Sequence, residues 1–231
     1  MNKQMVCGYH VDEFREMFAM TLPDLEGHLL EHCCGVNAVN AELTASGTGH
    51  LISCDPLFHS NKKTLEHETS EHFNALMKHL QRDKALFDFS YYGSLDALIE
   101  NRRRGMSAFF ADYEKGKAEK RYVAPGSGLL PFSDFTFDFA LSSYFSSQES
   151  AQQDVSYHLQ QITELARVAK EVRIFPLIDK NGQPSPLLGP ILLGLQQAHY
   201  GVEVREVSYH LQPQDNAMLR VWAQQCQVTN G

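Results

Sequence analysis

Apolar positions along the chain change spacing from block to block, and the spacing predicts the elements. Val11 to Ala19 carries Phe14 and Phe18 on one helical face, with Asp12 and Glu13 near its start, and reads as a short opening helix. Leu29 and Leu30 begin a short apolar strand. Val36, Val39 and Leu43 return to helical spacing, with Asn37 near the start and Gly47 just past the end. His50 to Cys54 is a second buried strand, closed by Asp55 and Pro56.

From His59 to Lys120 the period is helical throughout. Phe73, Leu76, Met77 and Leu80 form one stripe. Leu95, Leu98, Ile99, Met106, Phe109, Phe110 and Tyr113 form another, with Ser94 placed to cap it. This segment is longer than an ordinary crossover, so part of it is expected to cover the sheet edge or a pocket. Arg121 to Ala124 reads as strand three and Phe137 to Leu141 as strand four, with a glycine-rich turn from Pro125 to Pro131 between them. Leu159, Ile162, Leu165, Ala166 and Ala169 mark the next helix, and Val172 to Leu177 strand five. A helix through Leu188, Ile191, Leu192 and Leu195 follows, with Gly201 expected to stop it. Val202 to Val207 and Met218 to Trp222 make a closing strand pair around Gln212, Pro213, Asp215 and Asn216. Alternating strands and helices imply a mostly parallel, doubly wound α/β sheet covered on both faces. The last two strands have no helix between them and should be antiparallel.

Composition narrows the class without changing that picture. The 231 residues suffice for one domain over 1–231, with the helical insertion at about 59–120. Apolar residues make up 43%, which excludes a disordered chain. A formal net charge of -8 argues against nucleic-acid partners and against an anionic membrane surface. No apolar run reaches the roughly 20 residues of a bilayer span, and Met1 to His10 lacks the features of a signal peptide. The cysteines at 7, 33, 34, 54 and 226 follow no disulfide framework, so a reducing cytoplasm is expected. The oligomeric state is not legible.

Three features converge on one kind of ligand. Glu31-His32-Cys33-Cys34-Gly35 links strand one to its helix, where backbone N–H groups face the open sheet edge. Asp55 ends strand two 20 positions beyond Gly35, and an acid there can accept both ribose hydroxyls of an adenosine. Leu130-Pro131-Phe132 and Phe137-Asp138-Phe139-Ala140-Leu141 form a turn feeding a buried strand. Other readings compete for the same residues. Asp55 could simply end a strand before a proline turn. His28, His32, Cys33, Cys34 and Cys54 could converge on zinc, but their spacing matches no standard finger, and no metal is assigned. Arg102, Arg103 and Arg104 fan around a helix and read as a solvated face.

With these residues in view, most of the chain resembles the class I S-adenosylmethionine-dependent methyltransferases. It is most similar to a bacterial subgroup with a short N-terminal helix like His10-Val11-Asp12-Glu13-Phe14-Arg15-Glu16-Met17-Phe18. Glu31 matches the acid of the family's first motif and Gly35 its second glycine. Asn40-Ala41-Glu42-Leu43 resembles the following helix, Asp55 the ribose-binding acid, and Leu130-Pro131-Phe132 with Phe137-Asp138 the post-adenine turn and fourth strand. The resemblance implies a Rossmann-like, seven-stranded sheet with an antiparallel last strand, and S-adenosyl-L-methionine as cofactor. It implies cofactor contacts at Glu31, Cys33, Gly35 and Asp55, at Gly126 and Ser127 beside the adenine, and at Ser142 ending strand four. Three departures stand out. Cys33 occupies the first-glycine position, Gly126 replaces the usual adenine-binding acid, and Ser142-Ser143-Tyr144-Phe145 lacks the Asn-Pro-Pro-Tyr pattern of amino-group methylating enzymes. Two functions follow. One is a methyltransferase acting on an unidentified, small-molecule acceptor, with the helical insertion as a lid and no assigned catalytic residue. The other is an inactive methyltransferase-like scaffold that has lost its cofactor.

Overall fold

A computed structural model of the chain describes residues 8–143, 154–179 and 182–223; Cys7, Tyr144, Phe145 and Cys226 lie outside the described residues. Seven strands form one sheet in the order β3-β2-β1-β4-β5-β7-β6. They are β1 (His28–His32), β2 (His50–Cys54), β3 (Tyr122–Val123), β4 (Phe137–Ser143), β5 (Ala169–Phe175), β6 (Tyr200–Glu206) and β7 (Ala217–Ala223). β1 runs parallel to both β2 and β4, and β4 parallel to β5. β7 runs antiparallel to both of its neighbours, as the missing crossover helix requires. The strand order reverses between β1 and β4, which opens a crevice at their carboxyl ends.

Both sheet faces are buried, which is why the central strands are apolar runs. On one face Leu30, Ala140, Val172 and Ile174 pack against Ile162 and Leu165 of α5 (Val155–Val168) and Ile191 and Leu195 of α6 (Leu188–Gln197). On the other, Leu29, Leu141 and Phe175 meet Phe14 and Met17 of α1 (Val11–Met17) and Val39 and Leu43 of α2 (Val39–Ser46). Each such valine, leucine, isoleucine, phenylalanine or methionine contributes about 1.5–3 kcal/mol by leaving water. Gly47 closes α2 at φ +68°, a left-handed cap that glycine adopts without strain.

The helical insertion consists of α3 (Lys62–Arg82) and α4 (Leu95–Ala118). Asn61 and Ser94 cap them by accepting the N–H groups of Thr64 at 3.0 Å and Ala97 at 3.1 Å. α4 lies against α2 and β3, where Phe109 and Tyr113 pack with Tyr122, and α3 packs on α4. The insertion therefore covers the β3 edge of the sheet.

Two expectations are corrected. Gly201 does not stop α6. That helix ends at Gln197, His199 takes the left-handed turn at φ +62°, and Gly201 pairs with Trp222 inside the sheet. A Cβ at Gly201 would stand 2.2 Å from the Trp222 ring, so the glycine makes room for the indole. Arg102 is not on a solvated face. It is 4% exposed, and its guanidinium donates to Glu13, Tyr92 and Tyr209 while lying 3.9 Å from the centre of the Tyr9 ring. A buried acid and three phenols from distant segments replace the water it loses.

Candidate functional site

The turn from β1 to α2 is built on two left-handed residues, Cys33 at φ +53° and Gly35 at φ +64°. Gly35 adopts this freely, whereas Cys33 carries a side chain into a region that favours glycine. The Cys33 N–H donates to the Cys54 carbonyl at 3.1 Å, and the thiol lies 3.6 Å from His32 Nε2. Asp55 joins the two strand ends. One carboxylate oxygen accepts the Gly35 N–H at 2.8 Å, and the other accepts the Leu57 N–H at 2.8 Å, capping the short turn Pro56–His59.

Beneath the turn sits Glu31, 1% exposed. Asn37 Nδ2 donates to its Oε1 at 2.6 Å and Ser53 Oγ donates to its Oε2 at 2.9 Å. Asn37 also donates to the Cys34 carbonyl at 3.1 Å and accepts the Val39 N–H at 3.1 Å. One amide thus ties the turn to the first turn of α2. Asn40 Nδ2 extends the network to Ser53 Oγ and the Leu51 carbonyl, both at 3.0 Å. Burial raises the Glu31 carboxyl to about 7, against the pull of its Asn37 and Ser53 hydrogen bonds. Burial lowers the neighbouring His32 imidazole to about 4, so that ring is neutral at neutral pH. The Cys54 thiol is pushed up to about 12 by burial, and Cys34 moves in the same direction.

The sequence-derived site residues divide into three groups. Glu31, Cys33, Gly35 and Asp55 form one connected unit at the carboxyl ends of β1 and β2. Ser142 lies opposite His32 in the β1–β4 register, fully buried, with Oγ 3.4 Å from His32 Nδ1. Gly126 and Ser127 are exposed in the loop after β3, and a Cβ at Gly126 would meet nothing within 4 Å. Asn37, Ser53 and Asn40 were not expected as parts of the site. The one sequence signal is that Asn37 precedes α2 in the turn itself. Among the described residues no group of three or more His, Cys, Asp or Glu side chains is placed to hold a metal ion, and no helix is long and apolar enough to cross a membrane.

The strand order, with β7 antiparallel between β5 and β6, defines a seven-stranded mixed α/β sheet flanked by helices. No family model matches the chain. An uncharacterised protein of Methanocaldococcus jannaschii is 24% identical over 216 residues, covering 93% of this chain and 94% of the relative. Similar solved structures include a SAM-dependent methyltransferase from Aquifex aeolicus, 16% identical, covering 92% of this chain and 88% of that one at a TM-score of 0.41. A TehB-like SAM-dependent methyltransferase from Corynebacterium glutamicum is 14% identical, covering 92% and 86% at a TM-score of 0.44.

Proposed function

We propose that this chain is an S-adenosylmethionine-dependent methyltransferase acting on a small-molecule acceptor. The observation that carries this reading is Asp55, whose carboxylate ends β2 and is fastened to the Gly35 N–H of the β1–α2 turn at 2.8 Å. An acid at the end of β2 is the kind of group that accepts hydrogen bonds from the two vicinal hydroxyls of a ribose. The exposed backbone at Gly126 and Ser127 offers room for an adenine, because no atom stands where a Cβ would be at Gly126. The donor set therefore fits the adenosine half of the cofactor.

When bound, the cofactor supplies a methyl group on a sulfonium, already electrophilic. The chain's own contribution is placement. Asn37 and Glu31 hold the turn rigid from below, and Asp55 fixes its height over β2. His32, kept neutral by burial, adds no positive charge beside a cationic ligand. A reducing, cytoplasmic setting goes with this reading, since the Cys34 and Cys54 thiols are buried and unpaired.

A second reading rests on Cys33, which holds a side chain in left-handed backbone where the first motif has glycine: a scaffold that no longer takes the cofactor. Calorimetric titration with S-adenosylmethionine and S-adenosylhomocysteine separates the two. At about 100 times its dissociation constant the ligand stabilises the fold by about 2.7 kcal/mol. Asp55→Asn is expected to weaken binding at least tenfold while the variant stays folded. No heat and no thermal shift at millimolar ligand would sink the enzyme reading. Binding that appears only in Cys33→Gly would establish the scaffold.

A further inference from the structure

The sheet has two unequal edges. β3 contributes two residues at one end, whereas β6 presents seven at the other, and no described strand bonds to its outer side. Long open edges invite pairing.

The hydrogen-bond phase of β6 shows which groups face outward. The Val207 N–H donates to the Asn216 carbonyl at 2.8 Å, continuing the β6–β7 register. Antiparallel ladders alternate, so the backbone groups of Glu203 and Arg205 point toward β7. Those of Val202, Val204 and Glu206 point away from the sheet. Val204 is 47% exposed.

We propose that this edge pairs with the same edge of a second copy of the chain, antiparallel about a twofold axis at Val204. The sequence Glu203-Val204-Arg205 is self-complementary in that register. Val204 would exchange two backbone hydrogen bonds with its symmetry mate, and Val202 would pair with Glu206 on either side. Glu203 then stands opposite the mate's Arg205, twice, at non-hydrogen-bonded positions where side chains approach most closely. Centring the pair on Glu203 or on Arg205 instead sets like charges opposite each other. The charge pattern therefore selects one register and disfavours its neighbours. The product is a single sheet continuous through both copies, an isologous interface. A strand edge alone is a small interface, so the dimer is concentration-dependent.

Sedimentation equilibrium of the full chain, from micromolar to millimolar, tests this. The wild type is expected to shift from monomer to dimer. Glu203→Arg and Arg205→Glu are each expected to raise the dimer dissociation constant at least about tenfold, since each sets two like-charged pairs across the axis. An equimolar mixture of the two variants is expected to recover a heterodimer, because both cross-pairs again carry opposite charges. Glu203 also pairs with Arg220 in its own chain, so circular dichroism checks the fold of Glu203→Arg, and Arg205→Glu leaves that pair intact. Val204→Pro removes an outward N–H at the axis and is expected to give a folded monomer. A wild type that stays monomeric at millimolar concentration overturns the proposal. So do folded reversal variants that dimerise like the wild type, or a mixture that does not re-associate.

Discussion

Two buried polar networks sit on this fold and are built in opposite ways. The network under the β1–α2 turn joins residues close in sequence: Glu31 to Asn37 across 6 positions and Glu31 to Ser53 across 22. The network around Arg102 joins distant segments, reaching Glu13 across 89 positions and Tyr209 across 107. The first positions a turn at the carboxyl edge of the sheet. The second fastens α1, the approach to α4 and the loop after β6 to one guanidinium. Burial costs both networks desolvation, and both offset it with hydrogen bonds rather than with water. The difference is that the turn network needs only the β1–α2–β2 unit to pack, its partners lying within 22 positions of Glu31. The Arg102 network forms only once the whole chain has closed.

Removing the guanidinium breaks this comparison hardest. Arg102→Met leaves Glu13 buried without its cation and is expected to cost about 3–5 kcal/mol in urea denaturation. Adding Glu13→Gln to it should recover part of the loss. If the two substitutions simply add, Arg102 and Glu13 are not coupled. Asn37→Ala strips one donor from Glu31 and one from the Cys34 carbonyl, and a loss of about 1–3 kcal/mol is expected. Because Asn37 shapes the turn, the same variant should also weaken S-adenosylmethionine binding, whereas a folded Arg102→Met should bind it normally.

The smallest effect is a slope. The folded-state pKa of Glu31 is raised, so its contribution to stability is full below about pH 4.5 and lost as pH rises toward about 7. His32 acts with the opposite sign, its contribution full above about pH 6.5 and lost as pH falls toward about 4. Glu31→Gln removes the first dependence and keeps the second. Between pH 5 and pH 8 its stability relative to the wild type should therefore improve by roughly 2–3 kcal/mol. A difference that is flat across that range would mean the carboxyl is ionised throughout.

The same contrast separates what could be read in advance from what could not. Periodicity placed every strand within a few residues, because a strand buried on both faces must be apolar and a helix packed on it must repeat at helical spacing. β2 falls at His50–Cys54 as expected, and β1 and β4 extend the expected runs by a few residues at their ends. The Gly35 turn and the acid of Asp55 were also legible, since spacing along a strand-turn-helix-strand unit fixes which residues reach the same sheet edge. The partners of Glu31 were not. A serine in a strand and an asparagine before a helix carry no mark of the carboxylate they will meet.

Arg102 and Gly201 show the limit from the other side. Three consecutive arginines on a helix look solvated, and a glycine after an apolar helix looks like its end. Local pattern determined the strands, the helices, the β1–α2 turn and the position of Asp55. The tertiary structure alone decided that Arg102 is buried among Glu13, Tyr92 and Tyr209, that Gly201 yields its space to Trp222, and that Glu31 is turned inward to Asn37 and Ser53. Those outcomes depend on which distant groups share a desolvated volume, and that volume exists only after the sheet has assembled.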